Sequence, residues 1–569
     1  MWPIYNTLSP SFRFRAKIIF ILLIVSSLLE ILNISLLIPV LSGVFSEGNN
    51  KYLDYLKIHF NIDEINRNFF LIIFVLTIII KNIFNIYCSY KQTSFTASLK
   101  LFLNKILFKS YLEISYKEFK VKNSSVITRN LVSETDNFIS VIYNYISLIL
   151  EVLILLGIFV LLLFYDLKIT SISFLFLAII SILYIATFQK YLKRIGKISL
   201  DNTAYLLKEI SECLDNFKVI KLLKSNKIFV NNFFRKSFLA TDTKRKHMFL
   251  NTLARPYIEI FIFSLILIIL LSLNGNDFII KYNFEKISFF TVVLIRLIPS
   301  ANRIINYLQK IKYSTASLSI ILQELNMAKE NKDNNYESPM EDNLIKFDFN
   351  KDLIIESINY SFNKNKKIIN NLSLIIKSSQ IIGIKGPSGI GKSLLADLIC
   401  GLLNPDKGKI FIGEKEISKN LNEWQSNIGY ISQNIYLIEN SIEKNITFGI
   451  SDEKIDNDKI KKIIEICELR KFVENLEQKE KTLIGERSIN ISGGQKQRIG
   501  IARALYRDPK ILIFDESFSG IDQRTSDIIL ENLKDNFPKT KTIIISHSEK
   551  ILDKANEVYL MNNGKLEKF

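Results

Sequence analysis

The N-terminal part of the chain alternates long apolar runs with polar, basic segments. The apolar runs cover residues 18–45, 69–90, 138–164, 170–188, 257–273 and 287–308. An α-helix needs about 20 mostly apolar residues to cross a bilayer. The six runs therefore predict six transmembrane helices, with only a tight turn near Asp166 between the third and the fourth. The first run is too long for a signal-peptide core and shows no small-residue cleavage pattern, so we expect it to be a transmembrane helix.

Beyond residue 343 the pattern changes to short apolar strands that alternate with helices, which predicts an α/β domain. A polar stretch with one proline separates the two patterns, as is typical of a linker. The sequence thus predicts three parts: a transmembrane domain over residues 1–327, a linker over 328–343 and an α/β domain over 344–569.

Basic residues predict the orientation in the membrane. Residues 91–136 hold eight lysines and arginines and residues 190–255 hold fifteen, whereas the connections on the other side hold few. By the positive-inside rule the basic segments and both termini are cytoplasmic. Apolar residues at helical spacing predict that the helices continue out of the membrane and reverse near 114–124 and 214–227. The outer segment 52–58 fits a short surface helix or a plain loop equally well.

Composition agrees with a membrane protein. The 569 residues are 48% hydrophobic with a net charge of +18, and the mean hydropathy is +0.19. The basic cytoplasmic segments account for most of this charge, and no base-stacking aromatic pattern accompanies them. We therefore expect no nucleic-acid partner. The four cysteines and three histidines are too dispersed for a disulfide framework or a metal cluster.

Residues 386–393 read G-x-x-x-x-G-K-S, between an apolar strand at 381–384 and a helix, which is the context of a phosphate-binding P-loop. Backbone N–H groups and the helix N-terminus would bind phosphate oxygens. Lys392 would reach the β- and γ-phosphates, and the Ser393 hydroxyl would bind Mg²⁺. A glycine-rich turn with no ligand is the alternative for this motif alone. The residues expected around the nucleotide are Gly386, Pro387, Ser388, Gly389, Ile390, Gly391, Lys392, Ser393 and Leu394.

Further motifs follow the P-loop in a fixed order, and each of them begins or ends a predicted element. They are Gln433 after a strand at 428–431, Ser492-Gly493-Gly494-Gln495 at the start of a helix, Asp515-Glu516 at the end of a strand at 511–514, Asp522, and His547 after a strand at 543–546. Any one of these could arise by chance, but the whole series could not.

This series resembles the ATP-binding cassette (ABC) transporters, and the resemblance covers the whole chain. It implies a six-helix α-helical transmembrane domain of the exporter type fused to an α/β P-loop ATP-binding cassette. It also implies ATP and Mg²⁺ as cofactors. In this family the P-loop is Walker A, Gln433 the Q-loop, Ser492–Gln495 the signature, Asp515 the Walker B aspartate, Glu516 the catalytic glutamate, Asp522 part of the D-loop and His547 the switch histidine.

The resemblance assigns a role to each motif. Mg²⁺ is held by Ser393, Gln433 and Asp515. Glu516 polarises the attacking water, and His547 keeps the γ-phosphate and the water in register, because phosphoryl transfer depends mostly on positioning and charge stabilisation. Ser517 and Ile491 depart from the usual family residues, but neither departure removes a reacting group.

Two further features follow from the family. An aromatic side chain stacks on adenine, for which Phe362 fits best, with Tyr360 as the alternative and a core aromatic as the third possibility. ATP lies between the Walker A of one cassette and the signature of another. Since this chain has one of each, a homodimer in the lipid bilayer is expected.

Charges within the apolar runs bear on the substrate. The basic candidates are Lys81, Arg255, Arg296 and Arg303, and the acids are Glu30, Glu151 and Glu259. Charges in a membrane are costly and point to function. One interpretation is a basic inner face that binds an anionic head group such as a diphosphate. The other, at nearly even odds, is that each base pairs with an acid for packing.

Residues 296–304 and 427–437 resemble the PglK-type flippases of lipid-linked oligosaccharides. This second resemblance implies that the substrate is an anionic lipid-linked glycan, carried on a polyprenyl diphosphate, which crosses the bacterial cytoplasmic (inner) membrane. The alternatives are an exporter of drugs, simple lipids or peptides, and an ATP-gated channel or regulator without transport. Because Glu516 and His547 are both present, the channel or regulator is disfavoured.

Overall fold

The computed structural model describes residues 9–36, 67–165, 167–271, 293, 297–335, 346–363, 366–485 and 491–569. The chain divides into two compact units, one almost entirely within residues 1–336 and the other almost entirely within residues 337–569. Arg296, the outer segment 52–58 and residues 336–343 of the predicted linker lie outside the described residues.

In the described residues the N-terminal unit consists of helices joined by short turns. Its helices are α1 (Pro10–Ser35), α2 (Arg67–Glu113), α3 (Tyr116–Val121), α4 (Ser124–Arg129), α5 (Thr135–Tyr165), α6 (Leu167–Asp215), α7 (Phe217–Leu222), α8 (Asn226–Leu271), α9 (297–313) and α10 (Thr315–Asn335). A π-helical segment, Asn130–Glu134, joins α4 to α5. Three helical spans among the described residues are long and apolar enough to cross a membrane: Pro10–Ser35, Leu71–Glu113 and Ser124–Phe164.

The long helices confirm that the transmembrane helices extend beyond the apolar runs. Helix α2 has 47 residues and α6 has 49. At 1.5 Å per residue each is about 70 Å long, more than twice the hydrocarbon thickness. The ends of α2 at Glu113 and of α6 at Asp215 also confirm the predicted reversals near 114–124 and 214–227.

The start of the predicted linker is helical instead of irregular. Helix α10 continues to Asn335, so it includes the first eight residues of the predicted 328–343 segment. These residues are polar, but they include good helix formers such as Ala328, Lys329 and Glu330 and no glycine or proline. A prediction from polarity alone therefore ended the helix too early in the chain.

Two glycines allow helices of this unit to approach closely. A Cβ atom on Gly157 of α5 would lie 1.9 Å from the Cδ1 atom of Ile31 of α1. A Cβ atom on Gly196 of α6 would lie 2.0 Å from the carbonyl oxygen of Tyr313 of α9. The second contact is with backbone, so only glycine fits there without moving a helix.

The C-terminal unit contains two larger sheets and a two-stranded ribbon. Its strands are β1 (Leu353–Asn363), β2 (Lys366–Ile376), β3 (Ile381–Lys385), β4 (Lys407–Ile412), β5 (Lys415–Glu416), β6 (Ile428–Ile431), β7 (Asn440–Ser441), β8 (Leu483–Ile484), β9 (Ile511–Asp515), β10 (Lys541–Ile545), β11 (Glu557–Asn562) and β12 (Lys565–Lys568). The central sheet has the order β12-β11-β3-β10-β9-β6, and a smaller antiparallel sheet has the order β2-β1-β4-β5.

The α-helices of this unit are α11 (Lys392–Ile399), α12 (Leu421–Ser426), α13 (Ile442–Ile446), α14 (Asn457–Ile466), α15 (Arg470–Glu474), α16 (Gly493–Leu505), α17 (Gln523–Asn536) and α18 (Glu549–Leu552). The apolar runs at β9 and β10 are entirely buried, as expected of central parallel strands. Strands β3, β10, β9 and β6 pair in parallel. Their carboxyl ends therefore share one edge of the sheet, which is where ligands bind in open α/β sheets.

Candidate functional site: the carboxyl edge of the central sheet

The P-loop leaves the end of β3 and enters α11 through two left-handed glycines. Gly389 has a φ of +78° and Gly391 a φ of +114°, a region that other residues rarely adopt. A Cβ atom on Gly391 would also lie 2.9 Å from the Cγ2 atom of Ile368. Of the remaining predicted contacts, Leu394 is buried in the hydrophobic core. The loop thus has the backbone conformation that a phosphate cradle requires.

Lys392 is 4% exposed, and its ammonium group lies in the centre of the site. Its Nζ atom donates to the carbonyl oxygens of Gly386 at 2.7 Å and of Pro387 at 3.1 Å. The same atom lies 3.2 Å from Nε2 of His547 and 3.8 Å from Oε1 of Glu516. A buried ammonium group needs such partners, and all four lie at the carboxyl edge of the sheet.

Asp515 ends β9 and is 4% exposed. The Ser393 hydroxyl donates to its Oδ1 at 3.2 Å, and the Tyr430 hydroxyl donates to its Oδ2 at 3.0 Å. Burial raises the pKa of Asp515, and the two hydrogen bonds oppose that rise. Burial, followed by the negative charge of Asp515, raises the pKa of Tyr430. A serine hydroxyl next to one carboxylate suits Mg²⁺, which prefers oxygen ligands and retains several waters.

Glu516 has a φ of +52°, which is strained for a residue with a side chain. Its backbone N–H donates to the carbonyl oxygen of Ile545, the last residue of β10, at 2.9 Å. The side chain accepts a hydrogen bond from Nε2 of Gln433 at 2.8 Å and lies 3.2 Å from Nε2 of His547. The structure therefore brings together the predicted residues from β3, β6, β9 and β10.

The signature segment caps α16. The Ser492 hydroxyl accepts from the N–H of Gln495, and the Gln495 side chain accepts from the N–H of Ser492, so the two residues form a capping box. Among the described residues, apart from the chain neighbours of Gly493 and the backbone of its own helix, no heavy atom lies within 4 Å of a Cβ placed on Gly493, so this side of the segment has room for a ligand or a partner. In the part of the chain that the structure describes, no hydrogen bond joins this segment to the P-loop.

The residues after Glu516 connect to the signature helix. Gln497 of α16 accepts from the N–H of Gly520 at 2.8 Å and donates to the Ser519 hydroxyl at 3.3 Å. The Asp522 carboxylate caps α17 by accepting from the N–H of Thr525 at 2.9 Å, and the hydrogen bonds from Thr525 lower the pKa of Asp522. Sequence reasoning did not single out Gln497, although it lies two residues after the signature.

The adenine candidates are both on β1. Tyr360 is 1% exposed and belongs to the hydrophobic core, so it is a core aromatic and offers no ring face to a ligand. The backbone of Phe362 lies two residues further along β1, and its side chain lies outside the described residues.

The described basic candidates for substrate binding, Lys81, Arg255 and Arg303, each pair with an acid. Lys81 lies 3.0 Å from Glu30. Arg303 donates from Nε to Oε1 of Glu151 at 2.5 Å and from Nη2 to Oε2 at 3.2 Å.

Arg255 donates to Glu259 at 2.7 Å, one helical turn away, with 71% of its side chain exposed. The structure thus shows acid pairing for Lys81, Arg255 and Arg303, which was one of the two interpretations left open by the sequence.

Comparisons with known proteins identify the family to which both units belong. Residues 369–519 match the family model described as ABC transporter. Residues 17–295 match the model described as ABC transporter transmembrane region. A solved structure of a bacterial Atm1-family ABC exporter with ATP bound superposes with a TM-score of 0.80 and 18% sequence identity, over 98% of this chain and 95% of that one. This likeness supports the fold.

The names of three relatives differ, and two of these names indicate what the protein moves. An export ATP-binding/permease protein of Rickettsia typhi is 27% identical over 89% of this chain and 86% of its own length. A multidrug resistance ABC transporter ATP-binding and permease protein of Lactococcus lactis subsp. cremoris is 32% identical over 38% of this chain and 37% of its own. An ATP-dependent lipid A-core flippase of Francisella novicida is 25% identical over 68% of this chain and 64% of its own.

The matches thus cover both the helical unit and the P-loop unit. The chain is an ABC transporter, an exporter-type half-transporter in which a helical transmembrane domain is fused to an ATP-binding cassette, and it couples ATP hydrolysis to transport across a membrane.

Proposed function

We propose that this transporter flips an anionic lipid-linked glycan, a polyprenyl-diphosphate-linked oligosaccharide, across the bacterial cytoplasmic membrane. The proposal rests on the position of Arg303, which lies in the segment 296–304 that resembles the PglK-type flippases. Its guanidinium is held by the nearly buried Glu151, yet 39% of the Arg303 side chain is exposed. Its described hydrogen bonds use Nε and Nη2. Arginine is suited to bind phosphate oxygens through parallel N–H donors.

The other basic candidates complete this proposal. Lys81 and Arg255 would contact the anionic head group at other depths, as would Arg296, which lies outside the described residues. Since Lys81 and Arg303 are each paired with a carboxylate, the head group would exchange with that carboxylate instead of binding to an unpaired base. Such an exchange keeps the base paired with an anion throughout transport, while the released carboxylate has to be hydrated or protonated.

For the ATPase site we propose the following roles. Lys392 neutralises charge on the β- and γ-phosphates, and Ser393, Gln433 and Asp515 hold Mg²⁺, which supplies further neutralisation when bound. Glu516 orients and polarises the attacking water. His547, which lies 3.2 Å from Glu516, holds the γ-phosphate and that water in register. Phe362 stacks on adenine.

We propose a homodimer because no described hydrogen bond joins the signature Ser492–Gln495 to the P-loop of the same chain. A second copy would place its signature over this P-loop, so that two nucleotide sites form between two cassettes. The positive-inside rule then puts the cassettes and both termini in the cytoplasm. Native mass measurement of the active protein in detergent tests this proposal, and an active monomer would contradict it.

The substrate proposal is tested in proteoliposomes containing a polyprenyl-diphosphate-linked oligosaccharide. The test variant is the double substitution Arg303→Ala with Glu151→Gln, because Arg303→Ala alone leaves the nearly buried Glu151 without its base. We expect this double variant to fold, to keep basal ATP hydrolysis and to lose flipping. Glu151→Gln alone is the matched control and should retain flipping. Wild-type flipping by the double variant would rule out Arg303 as a head-group residue.

The runner-up is an exporter of drugs, simple lipids or peptides, and the name of the Lactococcus lactis relative favours drugs. That relative matches over only 38% of this chain, so the match says little about the substrate. The two functions differ in what stimulates ATP hydrolysis. Stimulation by amphipathic drugs but not by the diphosphate-linked glycan would establish the runner-up.

A further inference from the structure

Strand β6 and the segment just after it contribute two side chains to the nucleotide site, and one of them, Tyr430, has no proposed role in the ATPase site. Gln433, just after the strand, donates to Glu516. Tyr430, within the strand, donates to Asp515. Strands β6 and β9 pair in parallel, with Tyr430 opposite Ile513. Tyr430 is therefore close to the end of β9, where Asp515 and Glu516 follow each other.

The Asp515 carboxylate is held at both oxygens by hydroxyl groups from two different elements. Ser393 from the start of α11 donates to Oδ1 at 3.2 Å, and Tyr430 from β6 donates to Oδ2 at 3.0 Å. A quarter-turn of the carboxylate about its Cβ–Cγ bond would break both hydrogen bonds. Because Asp515 is only 4% exposed, water has little access to replace either donor. The tyrosine thus restricts the carboxylate to one orientation.

We propose that Tyr430 is a positioning residue for the metal-dependent step of ATP hydrolysis. By holding Oδ2, its hydroxyl keeps Oδ1 directed at the Ser393 hydroxyl, the side on which Mg²⁺ is proposed to bind. Tyr430 touches neither nucleotide nor metal in this proposal and acts only through Asp515. The inference rests on the proposed assignment of Ser393 and Asp515 to Mg²⁺.

The competing explanation is that Tyr430 only fills space, since its ring packs against the core between the sheets. Tyr430→Phe separates the two explanations, because it keeps the ring and removes only the hydroxyl oxygen. Tyr559→Phe is the matched control. The Tyr559 hydroxyl also donates to a carboxylate, Oε2 of Glu557 at 2.7 Å, on strand β11, which pairs with β3 and carries none of the predicted site residues.

The experiment uses the full chain in lipid nanodiscs and a fluorescent ATP analogue. Nucleotide affinity is measured first with EDTA and then across a Mg²⁺ titration, and the Mg²⁺ dependence of ATP hydrolysis is measured in parallel. For Tyr430→Phe we expect an unchanged nucleotide affinity in EDTA. The Mg²⁺ concentration that gives half of the maximal effect should be about tenfold higher than in the wild type, as expected for the loss of one hydrogen bond to a charged group. Hydrolysis should recover at saturating Mg²⁺. Tyr559→Phe should match the wild type.

Each other outcome has a defined meaning. A wild-type Mg²⁺ dependence in Tyr430→Phe would overturn the positioning role. A weaker nucleotide affinity in EDTA would also overturn it, since the tyrosine would then support the nucleotide site in general. Asp515→Asn is measured alongside. If Asp515→Asn leaves the Mg²⁺ dependence unchanged, the proposed metal site itself is wrong, and that failure is distinct from a failure of Tyr430 alone.

Discussion

Ionisable side chains are paired differently in the cassette and in the transmembrane domain. In the cassette, Lys392, Glu516 and His547 share their contacts within 3.8 Å, and none of them has a single exclusive partner. In the transmembrane domain, Arg303 and Lys81 each face one carboxylate on a neighbouring helix. A shared cluster can exchange contacts with a ligand at little cost, whereas an ion pair between two helices must be broken first. The cassette cluster can therefore accept a nucleotide in every cycle at little cost, whereas a transmembrane pair accepts an anionic head group only by giving up its carboxylate.

The cassette cluster predicts the largest effect of a single substitution. Glu516→Gln removes the carboxylate that polarises water but keeps a side chain of the same shape. ATP hydrolysis should fall by about 100-fold or more, the usual contribution of a general base, and ATP binding should persist. Both are measured on the purified protein, by phosphate release and by nucleotide binding.

Glu549→Gln is the control for this substitution. Glu549 also pairs with a lysine, Lys385, but its side chain is 76% exposed and lies outside the shared cluster. The Glu549→Gln substitution should leave ATP hydrolysis unchanged. Wild-type turnover in Glu516→Gln would remove Glu516 from the catalytic role and would weaken the contrast between the shared cluster and the ion pairs between helices.

The cassette was predictable from sequence because its chemistry is local. Each motif lies at the end of one strand or the start of one helix, and parallel strands bring their carboxyl ends together. Acid pairing in the transmembrane domain was one of two interpretations of the sequence, but the partner of Lys81 was not predictable, because Lys81 and Glu30 are 51 positions apart and nothing local specifies which helices adjoin. The close contact of Gly196 with Tyr313 could not be predicted for the same reason. Tyr430 went unnoticed as well, although a phenol in an otherwise apolar strand is a signal that could have found it.

The transmembrane pair Arg303–Glu151 predicts an asymmetric effect on stability. Arg303→Gln leaves the Glu151 carboxylate, whose side chain is 6% exposed, with no base. The cost should be about 2 kcal/mol of unfolding free energy, below the 3–5 kcal/mol of a fully buried pair because Arg303 is partly exposed. Glu151→Gln should cost less, since the exposed guanidinium can reach water. Thermal unfolding in one detergent compares the two variants.

The double variant Glu151→Gln with Arg303→Gln is the control for that asymmetry. It removes both charges together and should be more stable than Arg303→Gln alone, because no orphan carboxylate remains. If the two single variants lose equal stability, the pair is not buried in the way that the structure shows. If the double variant is the least stable, packing of the side chains matters more than their charges.

Substitution of Arg255 should have the smallest effect, because Arg255 belongs to an exposed ion pair and not to one with a nearly buried carboxylate. It pairs with Glu259 one turn away on its own helix, and its side chain is 71% exposed. Surface pairs of this kind contribute little and are screened by salt. Arg255→Gln should therefore leave the thermal midpoint unchanged at both low and high salt. A loss as large as that of Arg303→Gln would mean that Arg255 is buried in the working assembly, as it would be if a second copy covered this part of α8.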